Sequence, residues 1–277
     1  MPKSGGYAVI FVLLLMAAAR ASPWSEVATP APGPGYAIGT PVAGCLSGGV
    51  ALPLDGPGFE VIRVSRHRYF AHPETVAFIE ALGAKAEKLG LPRFYVGDMS
   101  LPRGGPMPDG HASHETGLDA DIWFNLDPKP VLAPEAREDV PLPTMVLAGG
   151  KAIDPSRFGT RQVELLHLAA SDARVDRIFV NPAIKRALCA GVAGAGQGDR
   201  NWLHRIRPWY GHDEHFHVRL RCPAGSPDCV AQAPVPAGDG CDASLDWWFE
   251  PHPAPPISPR PPREKVLPAA CRALIPR

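Results

Sequence analysis

Histidine is unevenly placed in this 277-residue chain. Five of its ten histidines fall in two short clusters, His111-Ala-Ser-His114 with Asp119 and Asp121 behind it, and His212-Asp-Glu-His215-Phe-His217. Neutral imidazole and carboxylate are, with thiolate, the usual ligands of zinc, and three protein ligands leave a fourth position for water, as a catalytic site requires. A single histidine is more often a surface or hydrogen-bonded side chain, but a set of this kind on alternating strand faces favours an ion site. Leu118, Ala120, Ile122 and Phe124 alternate with Asp119, Asp121 and Trp123, so both carboxylates leave one face of a strand while the apolar set goes to the core. Phe216, Val218 and Leu220 alternate with His215, His217 and Arg219 in the same way. If adjacent, the two strands bring Asp121 and His217 to one ion, and Gly117 allows the turn by which His114 joins them.

The elements that must carry these residues are short, as 34 prolines and 28 glycines require. Residues 59–64, 93–97, 118–124, 177–180 and 216–221 read as strands. Residues 73–89 read as a helix, with Pro73 in its first turn, Val76, Ile79, Leu82, Ala86 and Leu89 on one face, and Gly90 at its end. Two further helices are predicted at 160–170, started by Thr160, and at 182–188, with Pro182 in its first turn. Residues 101–114 form a Gly/Pro-rich loop of the kind that positions site residues, 127–155 and 191–199 are loops, and the proline-dense 251–263 stretch is extended. Together these elements make an α+β chain with long Pro/Gly-rich loops, and no internal repeat is present.

The N-terminus assigns a compartment. Lys3 precedes an apolar run at 8–19 that is too short to span a bilayer, and Ala19-Arg20-Ala21 fits a cleavage site. Residues 1–21 therefore read as a signal peptide and 22–277 as one exported domain, with no membrane span in the mature chain. Lys plus Arg and Asp plus Glu both number 28, so no excess positive charge is available to hold nucleic acid. All six cysteines lie beyond residue 21, and an oxidising compartment predicts three disulfides. Only Cys222 and Cys229, which bracket a turn-forming Pro-Ala-Gly-Ser-Pro-Asp, pair on sequence grounds. Thiolate ligation is disfavoured because no C-x-x-C pair exists.

The spacing H-x(6)-D from His114 to Asp121, with H-x-H from His215 to His217, resembles the zinc peptidase group of lysostaphin and the D-alanyl-D-alanine dipeptidases. Two longer stretches are similar to the signatures of the penicillin-insensitive murein endopeptidases. They are G-D-M-S-L-P-R-G-G-P-M-P-D-G-H-A-S-H-E-T-G-L-D-A-D-I-W-F at 97–124 and R-P-W-Y-G-H-D-E-H-F-H-V-R-L-R-C-P at 207–223, within a likeness running from about residue 45 to 271. The resemblance implies a periplasmic enzyme whose small antiparallel sheet holds one catalytic zinc, acting on D-alanyl-diaminopimelate cross-links of peptidoglycan. It implies His114, Asp121 and His217 as ligands, with His111 beside the metal as a fourth. It also implies the disulfides Cys45–Cys271, Cys189–Cys241 and Cys222–Cys229. Glu115 and the pair Asp213-Glu214 depart from the pattern and would add negative charge at the site, and nothing transfers onto 251–263.

Water acidified by an ion needs a proton acceptor from the protein. His215, on the strand face of His217, is assigned that role, with His212 assisting and Asp119 orienting a ligand imidazole. His167 reads as a core or boundary histidine among leucines, and His204 and His252 have no partner pattern. Trp209 and Tyr210 fit a groove wall, although aromatics flanking a strand are more often core, and Trp247 and Trp248 are assigned to packing. A carboxypeptidase or dipeptidase acting on free stems, or a non-catalytic cell-wall-binding protein on the same fold, are the alternatives. His215 beside a full ligand set favours an enzyme. Nothing in the chain specifies an oligomeric state.

Overall fold

A computed structural model describes residues 22–195, 199–251 and 265–275. The predicted signal peptide at 1–21, His252 and all but the first residue of the proline-dense 251–263 stretch lie outside the described residues. Among the described residues no helix is long and apolar enough to cross a membrane.

The strands are β1 (Tyr36–Thr40), β2 (Ala43–Ser47), β3 (Val50–Ala51), β4 (Asp55–Gly56), β5 (Phe59–Val61), β6 (Phe70–Ala71), β7 (Phe94–Val96), β8 (Asp119–Trp123), β9 (Val175–Val180), β10 (Ile206–Pro208) and β11 (His215–Leu220). The helices are α1 (Pro73–Lys88), α2 (Thr160–Ala170), α3 (Pro182–Cys189) and α4 (Ala269–Arg272). Seven strands form one sheet in the order β10-β9-β11-β8-β7-β5-β4, with β1-β2 and β3-β6 as separate two-stranded ribbons. The site-bearing strands are antiparallel, as the resemblance implies, but the sheet is larger and mixed, because β10 runs parallel to β9 and β5 to β7.

Strand alternation explains how the sheet is sided. Ala120, Ile122, Phe216, Val218 and Ile178 are buried with Phe78, Ile79 and Leu82 of α1 and Leu165, Leu166 and Ala169 of α2 in one apolar core. The opposite face therefore receives Asp119, Asp121, His215, His217 and Arg219. The helices start where local chemistry supplies caps. His72 Nδ1 accepts from Glu74 N at 3.1 Å ahead of Pro73, and Asn181 Oδ1 accepts from Ala183 N at 2.9 Å ahead of Pro182. At α2 the cap is Gly159 and not Thr160, its N–H donating to Gln162 Oε1 at 3.0 Å.

Three expectations shift. The strand predicted at 59–64 stops at Val61, because Arg63 turns into the left-handed region at φ 55°. The β1-β2 hairpin is absent from the pattern-based reading. His167 is exposed, its ring 5.2 Å from that of Trp202, and does not enter the core. Disulfides Cys45–Cys271, Cys189–Cys241 and Cys222–Cys229 are all formed, as the resemblance implies.

The C-terminal return is fastened near the first histidine cluster. Cys271 of α4 bonds Cys45 of β2, Arg103 Nη1 donates to Leu274 O at 2.5 Å, and Lys265 pairs with Glu115, the residue after His114.

Candidate metal centre

Strands β8 and β11 are neighbours, with His217 opposite Asp121, Arg219 opposite Asp119 and His215 opposite Trp123. The loop before β8 brings in the remaining histidines. Gly117 makes the turn at φ 71°, and a Cβ there would lie 2.8 Å from His72 N and 2.6 Å from the Leu46 side chain. His114, also in the left-handed region at φ 71°, is held by its own N–H to Asp119 Oδ2 at 3.0 Å and by Nδ1 to Met99 O at 2.7 Å. Such a backbone costs on the order of 1–3 kcal/mol and persists where its surroundings enforce it.

Four imidazoles surround Asp121. Its Oδ1 lies 3.5 Å from His114 Nε2, 3.4 Å from His217 Nδ1 and 3.7 Å from His215 Nε2, and its Oδ2 lies 3.6 Å from His111 Nδ1. These contacts are too long for hydrogen bonds. They are close to the separation of about 3.3 Å between two donors that sit about 2.0–2.1 Å from one tetrahedral ion. Asp121 Oδ1, His114 Nε2, His217 Nε2 and His215 Nδ1 are buried without a hydrogen-bond partner among the described residues. Buried polar atoms left unpaired cost about 1–3 kcal/mol each, and an ion between Asp121 and its imidazoles would satisfy those that face it. Donor atoms of His111, His114 and Asp121 all lie within 4.8 Å of one another. The residues present therefore fit a metal ion.

Each prospective histidine ligand has something that fixes its ring. Met99 O holds His114, and Asp98 Oδ2 lies 2.9 Å from His111 Nε2. Asp119 Oδ1 approaches His217 Nε2 at 3.0 Å, short of hydrogen-bond alignment, while Arg219 Nε holds the same oxygen at 2.6 Å. Among the described residues no hydrogen bond orients His215, whose Nδ1 has no partner there. Asp98 was not singled out from sequence. It is buried, and Arg68 Nη1 at 2.9 Å and Arg66 Nη1 at 3.2 Å also contact it.

Burial raises the Asp121 carboxyl, but the imidazoles of His114 and His215 outweigh it and hold the group well below the usual carboxylate range. Burial pushes His217 down to about 4 against the opposing pull of Asp119. Burial also lowers His215 and His212. At neutral pH the imidazoles of His217, His215 and His212 are uncharged, the form that can ligate a metal or accept a proton, whereas Asp121 outweighs burial to raise the pKa of His114.

A cleft of about 440 Å³, walled by His111, His114, His217, His212, Phe179 and Trp209, opens on this cluster. Trp209 and Tyr210 are 55% and 53% exposed, so they belong to the surface beside the cleft and not to the core. Trp248 stacks against both, 6.0 Å from Trp209 and 4.9 Å from Tyr210. Two of the acidic departures from the family pattern, Glu115 and Asp213, are engaged by partners outside the cluster. Glu115 accepts from Gly44 N at 3.0 Å and pairs with Lys265, and Asp213 accepts from Thr144 Oγ1.

The family model described as penicillin-insensitive murein endopeptidase matches residues 37–276. A Klebsiella pneumoniae protein of that name is 44% identical, covering 96% of this chain and 97% of its own length. Relatives of the same name from Yersinia enterocolitica, at 43% identity over 98% and 96% of the two chains, and Salmonella paratyphi B, at 41% over 99% and 98%, align as fully. Match and identity over nearly the whole length place this chain in the penicillin-insensitive murein endopeptidase family.

Proposed function

We propose that this chain is a zinc-dependent endopeptidase that hydrolyses D-alanyl-diaminopimelate cross-links of peptidoglycan in the periplasm. On this reading residues 1–21 are its export signal and 22–277 its single domain. The ligands are His114, Asp121 and His217, with His111 as a fourth. The observation that carries the reading is the ring of four imidazoles held around Asp121 at 3.4 to 3.7 Å, with buried nitrogens and an oxygen left unpartnered. A zinc ion bound there supplies Lewis-acid polarisation of a carbonyl and acidifies water toward a pKa of about 7.

The protein's own groups do the rest. His215 presents Nε2 toward the same carboxylate at 3.7 Å and, being neutral at pH 7, accepts the proton of the attacking water. His212 donates Nδ1–H to Tyr210 O at 3.1 Å, which leaves Nε2 a bare acceptor. With its ring 5.1 Å from that of His215, it assists proton removal and not oxyanion binding. Asp119 keeps His217 turned toward Asp121 and is itself held by the Arg219 guanidinium.

Incubating the purified mature protein with intact cross-linked muropeptides tests the reading. Chelator-sensitive conversion of dimers to monomers supports it. Trimming of free stems with dimers left intact identifies a carboxypeptidase instead, and binding without turnover identifies a non-catalytic protein.

A further inference from the structure

The sheet face that carries the metal centre continues beyond it into a cationic end. Across the ladder Arg207 of β10 stands opposite Phe179 of β9, Phe179 opposite His217 of β11, and His217 opposite Asp121 of β8, so one row of side chains runs over four strands. The adjoining row is Arg177, Arg219 and Asp119. Residues opposite one another in a ladder project from the same face.

Three guanidiniums therefore share the face, and their partners differ. Arg219 is neutralised by Asp119, 2.6 Å away, and donates to Gln232 Oε1 at 2.6 Å. Arg177 pairs with Asp176 at 2.6 Å and donates to Ala233 O at 2.7 Å. The half-buried Arg207 side chain makes no hydrogen bond or ion pair among the described residues. Asp242 acts on it only through space, and the Asp242 carboxylate accepts from Ser244 N at 2.9 Å. Lys185, donating to Leu203 O at 2.9 Å and Asp239 O at 2.5 Å, lies nearby, its pKa lowered to about 7 by burial and by Arg207. Burial and the neighbouring Arg177 both disfavour the charge on Arg207 and lower its pKa. A half-buried cation without a partner is costly, and an arriving anion relieves that cost.

Arg207 opens into a cleft of about 220 Å³ with Arg177, Phe179, Trp209 and Trp248. Arg177, Phe179 and Trp209 also wall the metal cleft, so the two depressions share one side. Two strand spacings, roughly 10 Å, separate the Arg207 strand from that of His217. An extended peptide advances about 3.3–3.6 Å per residue, so a group two to three residues from the scissile bond reaches this cleft.

We propose that the Arg207 cleft is a substrate subsite that binds a free carboxylate of the peptide stem, with Arg207 as its main ligand, Arg177 beside it, and the aromatic walls excluding water. The inference rests on the reading that the metal cleft cleaves cross-linked peptide. Arginine suits the task because its planar fork meets a carboxylate with two parallel hydrogen bonds, which lysine cannot do.

The test compares two ligands on three proteins. Calorimetry measures binding of an uncross-linked stem peptide with free carboxylates, and of the same peptide with those carboxylates amidated, to the metal-loaded wild type, Arg207→Ala and Arg207→Lys. Steady-state kinetics on cross-linked muropeptides and metal content accompany it. Wild type is expected to prefer the carboxylated peptide by about tenfold or more, the worth of a charge-assisted hydrogen bond. Arg207→Ala removes that preference and raises KM with kcat within about twofold, Arg207→Lys restores it in part, and metal content does not change. Indifference of the wild type to amidation, a comparison that needs no variant, overturns the subsite. So does Arg207→Ala protein that keeps the wild-type preference. Arg207-dependent binding without cleavage of cross-links supports the subsite and counts against the proposed reaction.

Discussion

Asp121 and His217 face one another directly across the β8-β11 ladder, with His217 Nδ1 3.4 Å from Asp121 Oδ1. Cross-strand partners have Cβ atoms about 4.5–5.5 Å apart by virtue of sheet geometry alone. Backbone pairing therefore sets half of the proposed metal centre, and the loop histidines complete it against a fixed pair. A site built on central strands is held more rigidly than one built on loops.

His217→Ala protein should lose the metal, because removing one of the proposed ligands leaves too few bonds to retain the ion. His215→Ala protein should retain about one zinc per molecule and lose activity by about 10²- to 10⁴-fold, the usual worth of a general base. Elemental analysis beside muropeptide assays checks both, and the reverse pattern of metal loss would exchange the two roles. Chelation of the wild type should abolish turnover and added zinc should restore it.

Asp98→Asn should weaken metal binding by about 10- to 100-fold, the typical effect of removing a carboxylate that orients a ligand imidazole. The amide still fills the space and accepts from Arg68, whose Nη1 lies 2.9 Å from Asp98 Oδ2. Competition with a metal indicator gives the affinity. An unchanged value in both Asp98→Asn and His111→Ala would remove His111 from the ligand set.

Burial lowers the pKa of His215, so the neutral acceptor persists below the ordinary histidine value near 6.5. The acid limb of kcat should accordingly fall below pH 6.5, measured between about pH 4.5 and 8. A limb centred above 6.5 would assign the proton acceptor elsewhere.

Lys185 is fully buried, and burial together with the Arg207 guanidinium pushes its pKa down to about 7 from 10.5. Between those values the unfolded chain binds more protons than the folded one, so stability rises with pH across that window and is lost as pH falls toward 7. Lys185→Met should be destabilised by about 2–5 kcal/mol, since Leu203 O and Asp239 O lose their donor. It should also lose the rise in stability between pH 7.5 and 9.5, as read by denaturant titration. An equal rise in both proteins would place the titration on another group.

The pairing of β8 with β11 was legible because each strand alternates apolar and polar residues without interruption, and the two polar faces carry matching ligand types. α1 was legible from its apolar stripe and its Pro73 and Gly90 ends. The β1-β2 hairpin was not, because small residues and glycines around Pro41 and Val42 leave no alternation to read. Asp98 was hidden for a different reason. Its role depends on the 97–100 loop meeting His111, Arg66 and Arg68, which the tertiary fold alone brings together. Asp119 was read as orienting an imidazole, but its bond to Arg219 requires the β8-β11 register to be known. Sequence could place Arg207 in a signature, but only its lack of a partner among the described residues gives it meaning.

The C-terminal fastening links residues that synthesis separates in time. The ribosome finishes β2 and the His111–His114 loop early, yet the disulfide that ties β2 crosses 226 residues to Cys271, and the lysine that grips Glu115 is Lys265. Until Lys265 and Cys271 emerge, the loop that carries His114 stays unfastened from that side. A chain cut before residue 265 would carry all five clustered histidines and yet lack both ties, the one on β2 and the one on the residue next to His114.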